Sequence, residues 1–314
     1  MSGRTVGAVD IGGTKIAVGI VDEAGRLLAK REMPTQAEAG FETAMARIEA
    51  LLRECLKESG TSPSGIGIGC TGPVDPFTGE IGVVDFLPGW QGENLVQALS
   101  SRFNLTVALE NDADAATLGE AFWGSGKGLA TLLCVTVGTG IGGGLVVDGR
   151  LFRGVDRSHP EVGHHVVDPS GPRCFCGASG CWEALAAGPA MTQWAIEHAP
   201  FDYPHRENLG GRQLCELATR GEPFALRVTE REARYLGLGI ANLVTLFSPD
   251  MIVLGGSVMR SSHLFLPGIQ ATVRQNCGLV PFEKTTITLA SLGPDAPLIG
   301  AAQVWLHRFK EQGD

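Results

Sequence analysis

Three cysteines fall within eight residues in the segment CFCGASGC at 174–181, a dense group of metal-binding side chains. Two histidines, His164 and His165, lie a short distance upstream. Three thiolates and one imidazole form a closed tetrahedral zinc site of the structural kind. Gly177 and Gly180 allow the backbone to double back, so that all three thiols reach one ion. The pattern predicts zinc bound by His164, Cys174, Cys176 and Cys181, with His165 as a competing ligand.

A disulfide and chance clustering are the alternatives to a metal site. A bond between Cys174 and Cys176 would close a very small, strained ring. The other cysteines are scattered, and Cys70 and Cys134 lie in apolar stretches typical of buried thiols. Because this is not the regular spacing of a secreted disulfide scaffold, a reducing compartment and a metal site are the better interpretation.

Glycine-rich turns suggest phosphate binding. In DIGGTK, residues 10–15, glycines let backbone N–H groups approach a phosphate, while Thr14 and Lys15 add a hydroxyl and a charge. Asp10, at a predicted strand end, could hold Mg²⁺ through water. GTGIGGG at 138–144 and GGS at 255–257 offer similar turns. Each could be a simple tight turn, but three together favour a nucleotide held in a cleft between two lobes. Neither the P-loop pattern GxxxxGK(S/T) nor the Rossmann pattern, in which GxGxxG is followed by a helix, is present.

The segment ENDAD, residues 110–114, follows a predicted strand and precedes a predicted helix. Asp112 there could take the proton of a hydroxyl nucleophile. A helix N-cap is an equally good interpretation, because Asn and Asp are favoured at that position. Glu161 and Glu183 flank the predicted metal site and are either ligands of a polyol or solvated glutamates. His159 has no partner pattern, which favours a surface or packing role.

The elements that must position these residues contain a weak repeat. Residues 4–27 and 130–151 each read as an apolar run, a glycine-rich turn, a second apolar run and an Asp/Gly turn. Both predict a β-hairpin, and together they predict two lobes related by duplication, with chance similarity as the alternative. Helices are predicted at 41–59, 93–103 and 297–312, and a long helix is predicted from residue 231 to a Ser-Pro stop.

Length and composition limit the function classes. A chain of 314 residues with 44% apolar and 19% charged residues is long enough for about two globular domains. The net charge of −9 argues against binding to nucleic acid or anionic lipid. Asp10 interrupts the N-terminal apolar run, so a secretory signal peptide is not expected. The sequence has no apolar run long enough to span a membrane. We therefore expect a cytoplasmic protein without nucleic-acid or membrane partners.

DIGGTK, ENDA, GTGIGGG, the ExGH box at Glu161–His164 and CxCGxxGCxE at 174–183 occur in the order typical of the ROK family of sugar kinases and repressors. The chain resembles that family over about residues 5–305. The resemblance implies an α/β, actin/hexokinase-like two-lobe fold with a ribonuclease H-like duplication, an inter-lobe cleft and a structural zinc loop. It implies an N-terminal lobe at 1–117 completed by a helix at 298–314, and a C-terminal lobe at 118–297.

The resemblance also implies an activity, which is ATP-dependent phosphorylation of a hexose hydroxyl with Asp112 as the general base. ATP, Mg²⁺ and a structural Zn²⁺ that fixes the sugar loop would be its cofactors, and a homodimer its assembly. The residues implied to bind sugar are Gly72, Asn111, Asp112, Glu161, His164 and Glu183. Those implied to bind ATP and its metal are Asp10, Gly12, Gly13, Thr14, Lys15, Gly138, Thr139, Gly140, Gly255 and Gly256.

Departures from the family pattern leave the sugar open. Phe86 stands where many members have asparagine, and Asp114 stands where asparagine is common. His159-Pro160 is similar to fructokinase-like members, whereas CFCGASGC is similar to glucokinases and N-acetylmannosamine kinases. A glucose-type sugar is our expectation, with an N-acetylhexosamine or fructose as the alternative. A sugar-sensing regulator is the non-enzyme alternative, but the phosphate hairpin begins at residue 5 and leaves no room for a preceding DNA-binding helix-turn-helix.

Overall fold

The fold is described by a computed structural model for residues 4–204 and 206–310, excluding the side chains of Glu207 and Lys310. It divides into two compact units. Unit 1 comprises the described parts of Met1–Leu129, Gly144–His159 and Ala290–Asp314, and unit 2 comprises those of Ala130–Gly143 and Pro160–Leu289. The predicted lobe boundaries at 117 and 297 stay a prediction, and the predicted terminal segments 1–3 and 311–314 lie outside the described residues.

Two five-stranded sheets form the framework, with strand orders β3-β2-β1-β4-β5 and β10-β9-β6-β7-β8. The strands of the first are β1 Thr5–Ile11, β2 Lys15–Asp22, β3 Leu27–Pro34, β4 Ile66–Cys70 and β5 Val107–Asn111. The strands of the second are β6 Thr131–Val137, β7 Ile141–Val147, β8 Arg150–Leu151, β9 Met251–Gly255 and β10 Thr286–Leu289.

The two sheets share one topology, as a duplication requires. In the first sheet β1 pairs antiparallel with β2, β2 with β3, and the parallel strands β4 and β5 follow on the other side of β1. In the second, β9 pairs in parallel with both β6 and β10, and β7 pairs antiparallel with β8. Each sheet is therefore a three-strand meander extended by two parallel strands, in the same order along the chain.

The described helices are α1 Phe41–Ser59, α2 Leu95–Phe103, α3 Asp112–Phe122, α4 Trp182–Ala186, α5 Gly188–His198, α6 Gly211–Thr219, α7 Pro223–Phe247, α8 Ser262–Asn276 and α9 Ala296–Lys310. The long helix α7 begins well before the predicted residue 231, because Pro223 stands at its first turn and the Glu222 carboxylate accepts hydrogen bonds from the N–H groups of Phe224 and Ala225. None of the helices in the described part of the chain has the length and apolar character needed to cross a membrane.

Close packing of α9 fixes the position of α3 in unit 1. A Cβ atom added to Gly300 would lie 1.9 Å from the carbonyl oxygen of Ala115, and one added to Gly67 would lie 1.8 Å from that of Ala301. Only glycine permits such approaches of α9 to α3 and β4. The indole N–H of Trp305 also donates to the Thr106 hydroxyl at 2.9 Å. The helix that begins at Asp112 is thus held on a rigid support.

Candidate active site and metal cluster

Three adjacent strand ends in unit 1 bring together residues that lie far apart in the sequence. In the parallel ladders Asp10 is level with Gly69, and Cys70 is level with Asn111. A Cβ atom on Gly72 would lie 3.1 Å from the Asn111 amide nitrogen, so the chain passes directly beside that side chain. The predicted residues Asp10, Gly72 and Asn111 therefore share the carboxyl edge of one sheet, where α/β folds commonly bind ligands.

Asn111 and Asp112 form the junction between β5 and α3. Asn111 is the N-cap residue, and its side-chain oxygen accepts from the Ala113 N–H at 2.8 Å. Asp112 is the first helical residue, and its carboxylate approaches the same N–H, also at 2.8 Å. The N-cap role that the sequence left open for this segment belongs to Asn111, so a capping role alone does not account for the carboxylate at 112.

Burial makes both acids of this edge harder to ionise. It raises the pKa of Asp112, while the hydrogen bond from the Ala113 N–H acts in the opposite direction. Burial and then the nearby charge of Asp112 raise the pKa of Asp10 to about 7. Two interacting carboxylates with raised pKa values are typical of sites that bind a cation or move a proton.

The first glycine turn is closed by its own hydrogen bonds. The Gly12 N–H donates to the Lys15 carbonyl at 2.9 Å, and the Thr35 hydroxyl donates to the Gly12 carbonyl at 2.6 Å. The Gly12 amide is thereby used within the turn. Thr14 and Lys15 are exposed at its tip, with the Lys15 ammonium 2.9 Å from Glu32. The side chain of Phe86 packs on Gly13, where an added Cβ would lie 2.6 Å from the Phe86 Cβ.

The second and third glycine turns lie in unit 2. The Gly138 N–H donates to the Gly140 carbonyl at 2.9 Å, so Thr139 occupies the tip of this turn. Gly256 has a φ of 92° and follows Gly255 at the end of β9. A Cβ atom on Gly256 would lie 2.3 Å from the Val137 carbonyl oxygen, which only glycine tolerates. The ends of β6 and β9 therefore present adjoining turns.

The four predicted metal ligands come together in unit 2. Their nearest ligand atoms, in His164, Cys174, Cys176 and Cys181, all lie within 4.8 Å of one another. The Cys174 sulfur is 3.5 Å from the His164 Nδ1, and the Cys176 and Cys181 sulfurs are 3.4 Å apart. In a tetrahedral zinc site, bond lengths of about 2.3 Å to sulfur and about 2.0 Å to nitrogen imply S–S and S–N edges of about 3.5–3.8 Å. The cluster therefore fits a zinc ion, and no disulfide links these thiols.

His165 is not part of the cluster. Its Nδ1 lies 2.6 Å from the Val162 carbonyl oxygen, and its ring packs against Trp182. Burial lowers the pKa of His165, which keeps the imidazole neutral. The structure therefore selects His164 from the two histidines that the spacing left open.

Glu183 connects the metal cluster to the second glycine turn. Its carboxylate accepts from the Ile141 N–H at 2.8 Å, and its other oxygen is 4.0 Å from the His164 Nε2. His164 can thus face the metal with Nδ1 and Glu183 with Nε2. Glu161 is exposed and precedes the short helical turn Val162–His164, with the His164 N–H donating to its carbonyl at 3.0 Å. Two of the predicted sugar ligands of unit 2, Glu161 and His164, therefore lie on one short turn, and the third, Glu183, lies beside His164.

Sequence reasoning missed an ionic cluster in unit 1. Asp114 is fully buried and accepts from Arg153 at 2.6 Å and from His159 at 2.7 Å. Glu110 is buried and binds Arg153 and Arg308. His159 is half-buried and its ring has a buried carboxylate as its partner, a contact that the sequence did not indicate. The unusual Asp114 was the only signal of this cluster, since its partners are distant in sequence.

Comparison with known proteins places this geometry in a family. Residues 6–308 match the profile of the ROK family. The chain belongs to the ROK family. This ROK protein is 34% identical over 310 residues to a glucokinase of Thermotoga maritima, with 96% of this chain and 97% of that protein covered. Repressors are also among its relatives.

Solved structures agree with the two-sheet α/β fold of this ROK protein. The crystal structure of a ROK hexokinase from Thermus thermophilus has a TM-score of 0.84 and 36% identity, covering 98% of this chain and 100% of that one. A ROK family glucokinase from Streptomyces griseus, solved in complex with glucose and AMPPNP, has a TM-score of 0.82 and 33% identity, covering 96% of this chain and 98% of that one.

Proposed function

We propose that this ROK protein is a kinase that transfers the γ-phosphoryl group of ATP to a hydroxyl of a hexose, with a glucose-type sugar as the acceptor. The observation that carries the proposal is the edge of unit 1 where Asp10 and Asp112 lie together at the ends of parallel strands. The similarity to glucokinases over nearly the whole chain supports it.

Asp112 is the proposed general base. A sugar hydroxyl is a poor nucleophile near neutral pH, and a carboxylate can take its proton as the bond to phosphorus forms. The side-chain oxygen of Asn111 caps the helix. The amide nitrogen of the same side chain can then donate to a sugar hydroxyl. Gly72 lies beside Asn111, where a side chain would crowd the amide. These residues form the proposed acceptor site of unit 1.

The proposed sugar ligands of unit 2 are Glu161, His164 and Glu183. The cluster of one imidazole and three thiols would hold a zinc ion, whose role is structural because all four positions are filled by protein ligands. Zinc held there would fix the orientation of His164, while the hydrogen bond from the Ile141 N–H holds the carboxylate of Glu183. The thiols thus take no part in the chemistry and support residues that bind the sugar.

The glycine turns are the proposed sites of the nucleotide. Gly13, Thr14 and Lys15 in unit 1, and Thr139 and Gly140 in unit 2, would contact phosphates, with Gly12 and Gly138 closing their turns. Gly255 and Gly256 would lie near the adenosine. Mg²⁺ bound with ATP would neutralise phosphate charge, and Asp10 would hold it through water.

The lobes would correspond to residues 1–117 with 298–314, and 118–297.

One experiment tests the proposal. ADP release from the purified protein is measured by a coupled assay with ATP, Mg²⁺ and glucose, mannose, fructose, N-acetylglucosamine or N-acetylmannosamine. We expect turnover that depends on sugar, fastest with glucose. Fastest turnover with another sugar would keep the kinase and change the acceptor. Sugar binding by calorimetry without turnover on any sugar would overturn the kinase and support a regulator.

A further inference from the structure

The buried cluster around Asp114 has no assigned role in the proposed reaction. Asp114 lies in the first turn of α3, two residues after Asp112, and is completely buried. Its Oδ2 accepts from both Arg153 and His159, at 2.6 and 2.7 Å. Its Oδ1 is buried without a hydrogen-bond partner among the described residues. A buried carboxylate is costly unless its charge is compensated, so its partners must be held firmly in place.

Arg153 connects this carboxylate to the rest of unit 1. One guanidinium nitrogen binds Asp114 and another binds Glu110, whose second oxygen is 3.1 Å from Arg308 of α9. Gly144 packs directly against the other oxygen of Asp114, because a Cβ atom on Gly144 would lie 2.6 Å from the Asp114 Oδ1. Two carboxylates and two guanidinium groups are therefore locked together by contacts from β5, α3, β7 and α9.

His159 is the member of the cluster that lies nearest in the sequence to the proposed sugar ligand Glu161. It is the last residue of the unit 1 segment Gly144–His159, and the chain continues in unit 2 with Pro160 and Glu161. The same segment is held a second time where the Arg157 guanidinium stacks on the Phe77 ring at 3.8 Å. The segment that delivers Glu161 thus leaves unit 1 from a point fixed by the Asp114–His159 hydrogen bond.

We propose that Asp114 and His159 are positioning residues of the proposed kinase reaction: their hydrogen bond fixes both the first turn of α3, which carries Asp112, and the point where the chain departs toward Glu161. This proposal rests on the proposed function. Neither residue needs to contact substrate. Their precision matters because small displacements of a base or of a substrate ligand reduce rates strongly.

The test compares His159→Leu, His159→Asn, Asp114→Asn and the double variant Asp114→Asn/His159→Leu. Asparagine places its amide nitrogen near the position of the histidine Nδ1, so it can still donate to Asp114, whereas leucine cannot. His263→Leu is the matched control, since His263 is an exposed histidine on α8 outside the cluster. The kinetic constants for sugar and for ATP are measured for each, together with thermal stability.

We expect His159→Leu to lower kcat/KM for the sugar by about 10–100-fold while KM for ATP changes less than about threefold. His159→Asn should restore the value to within about threefold of wild type. The effects of Asp114→Asn and His159→Leu should be less than additive in the double variant, because the two side chains are in direct contact. His263→Leu should behave as wild type.

Each other outcome is decisive. Wild-type kinetics in His159→Leu, a lower melting temperature without a kinetic change, or strictly additive effects in the double variant would each overturn the positioning role while leaving the kinase intact. A wild-type protein without turnover on any sugar would instead overturn the proposed function, and the positioning role with it.

Discussion

Asn111 and Asp112 both direct a side-chain oxygen at the N–H of Ala113, each at 2.8 Å. Asn111 has the N-cap position, so α3 keeps its cap when Asp112 is changed. The proposed chemical role of Asp112 can therefore be tested without removing the cap of the helix.

Asp112→Asn should lower kcat by about 10²–10⁴-fold, because asparagine preserves the shape of the side chain but cannot accept a proton. Sugar affinity should change by less than about tenfold, and the melting temperature should stay near that of wild type. Steady-state kinetics and thermal unfolding measure these quantities. Asp148→Asn, at an exposed hairpin position that asparagine tolerates, is the control. Near-normal turnover in Asp112→Asn would show that this residue is not the base.

Asp10→Asn should raise the Mg²⁺ concentration for half-maximal activity by at least about tenfold, because it removes a carboxylate that would hold the hydrated ion. Titration of activity with Mg²⁺ at saturating ATP and sugar measures the change. Sugar binding in the absence of nucleotide, followed by calorimetry, should remain as in wild type. An unchanged Mg²⁺ requirement would remove Asp10 from the proposed metal site.

Elemental analysis of the protein purified under reducing conditions should find about one zinc ion per chain, and Cys176→Ser should lose it. Cys176 is exposed, so the substitution itself costs little packing and any large loss of stability would reflect the metal. Cys215→Ser, which alters a thiol outside the cluster, should retain zinc. Wild-type protein free of zinc would contradict the structural site.

Glu232→Gln should stabilise the protein increasingly as the pH rises. Glu232 is completely buried on α7, both of its oxygens lack hydrogen-bond partners among the described residues, and burial raises its pKa to about 8. The unfolded chain loses this proton near the ordinary pKa of glutamate, so the stability associated with the neutral acid is lost as pH rises from that value through about 8.

The measured quantity is the difference in unfolding free energy between Glu232→Gln and wild type at several pH values. It should be close to zero near pH 4, grow to a few kcal/mol by about pH 8, and then level off. Glu230→Gln changes an exposed glutamate on the same helix and should give no such trend. A difference independent of pH would mean that Glu232 ionises normally in the folded protein.

Local patterns in the sequence determined much of this protein. The repeat of two glycine-tipped hairpins predicted the duplicated topology of the two sheets, because alternation of apolar residues and turn glycines is encoded within a few residues. The CFCGASGC segment with an upstream histidine predicted the metal cluster, since short spacing and glycine turns nearly force the thiols together. ENDAD predicted a strand-to-helix junction for the same local reason.

Only the tertiary structure decided which residues act together over long sequence distances. It places His164 in the metal cluster and keeps His165 out, because the His165 ring contacts the Val162 carbonyl oxygen and packs against Trp182. It gave the capping role to Asn111 and revealed Asp114, His159 and Arg153 as one buried cluster. Burial and charge pairing depend on which chain segments pack side by side, and that arrangement is set by the whole fold rather than by the neighbours of each residue in the sequence.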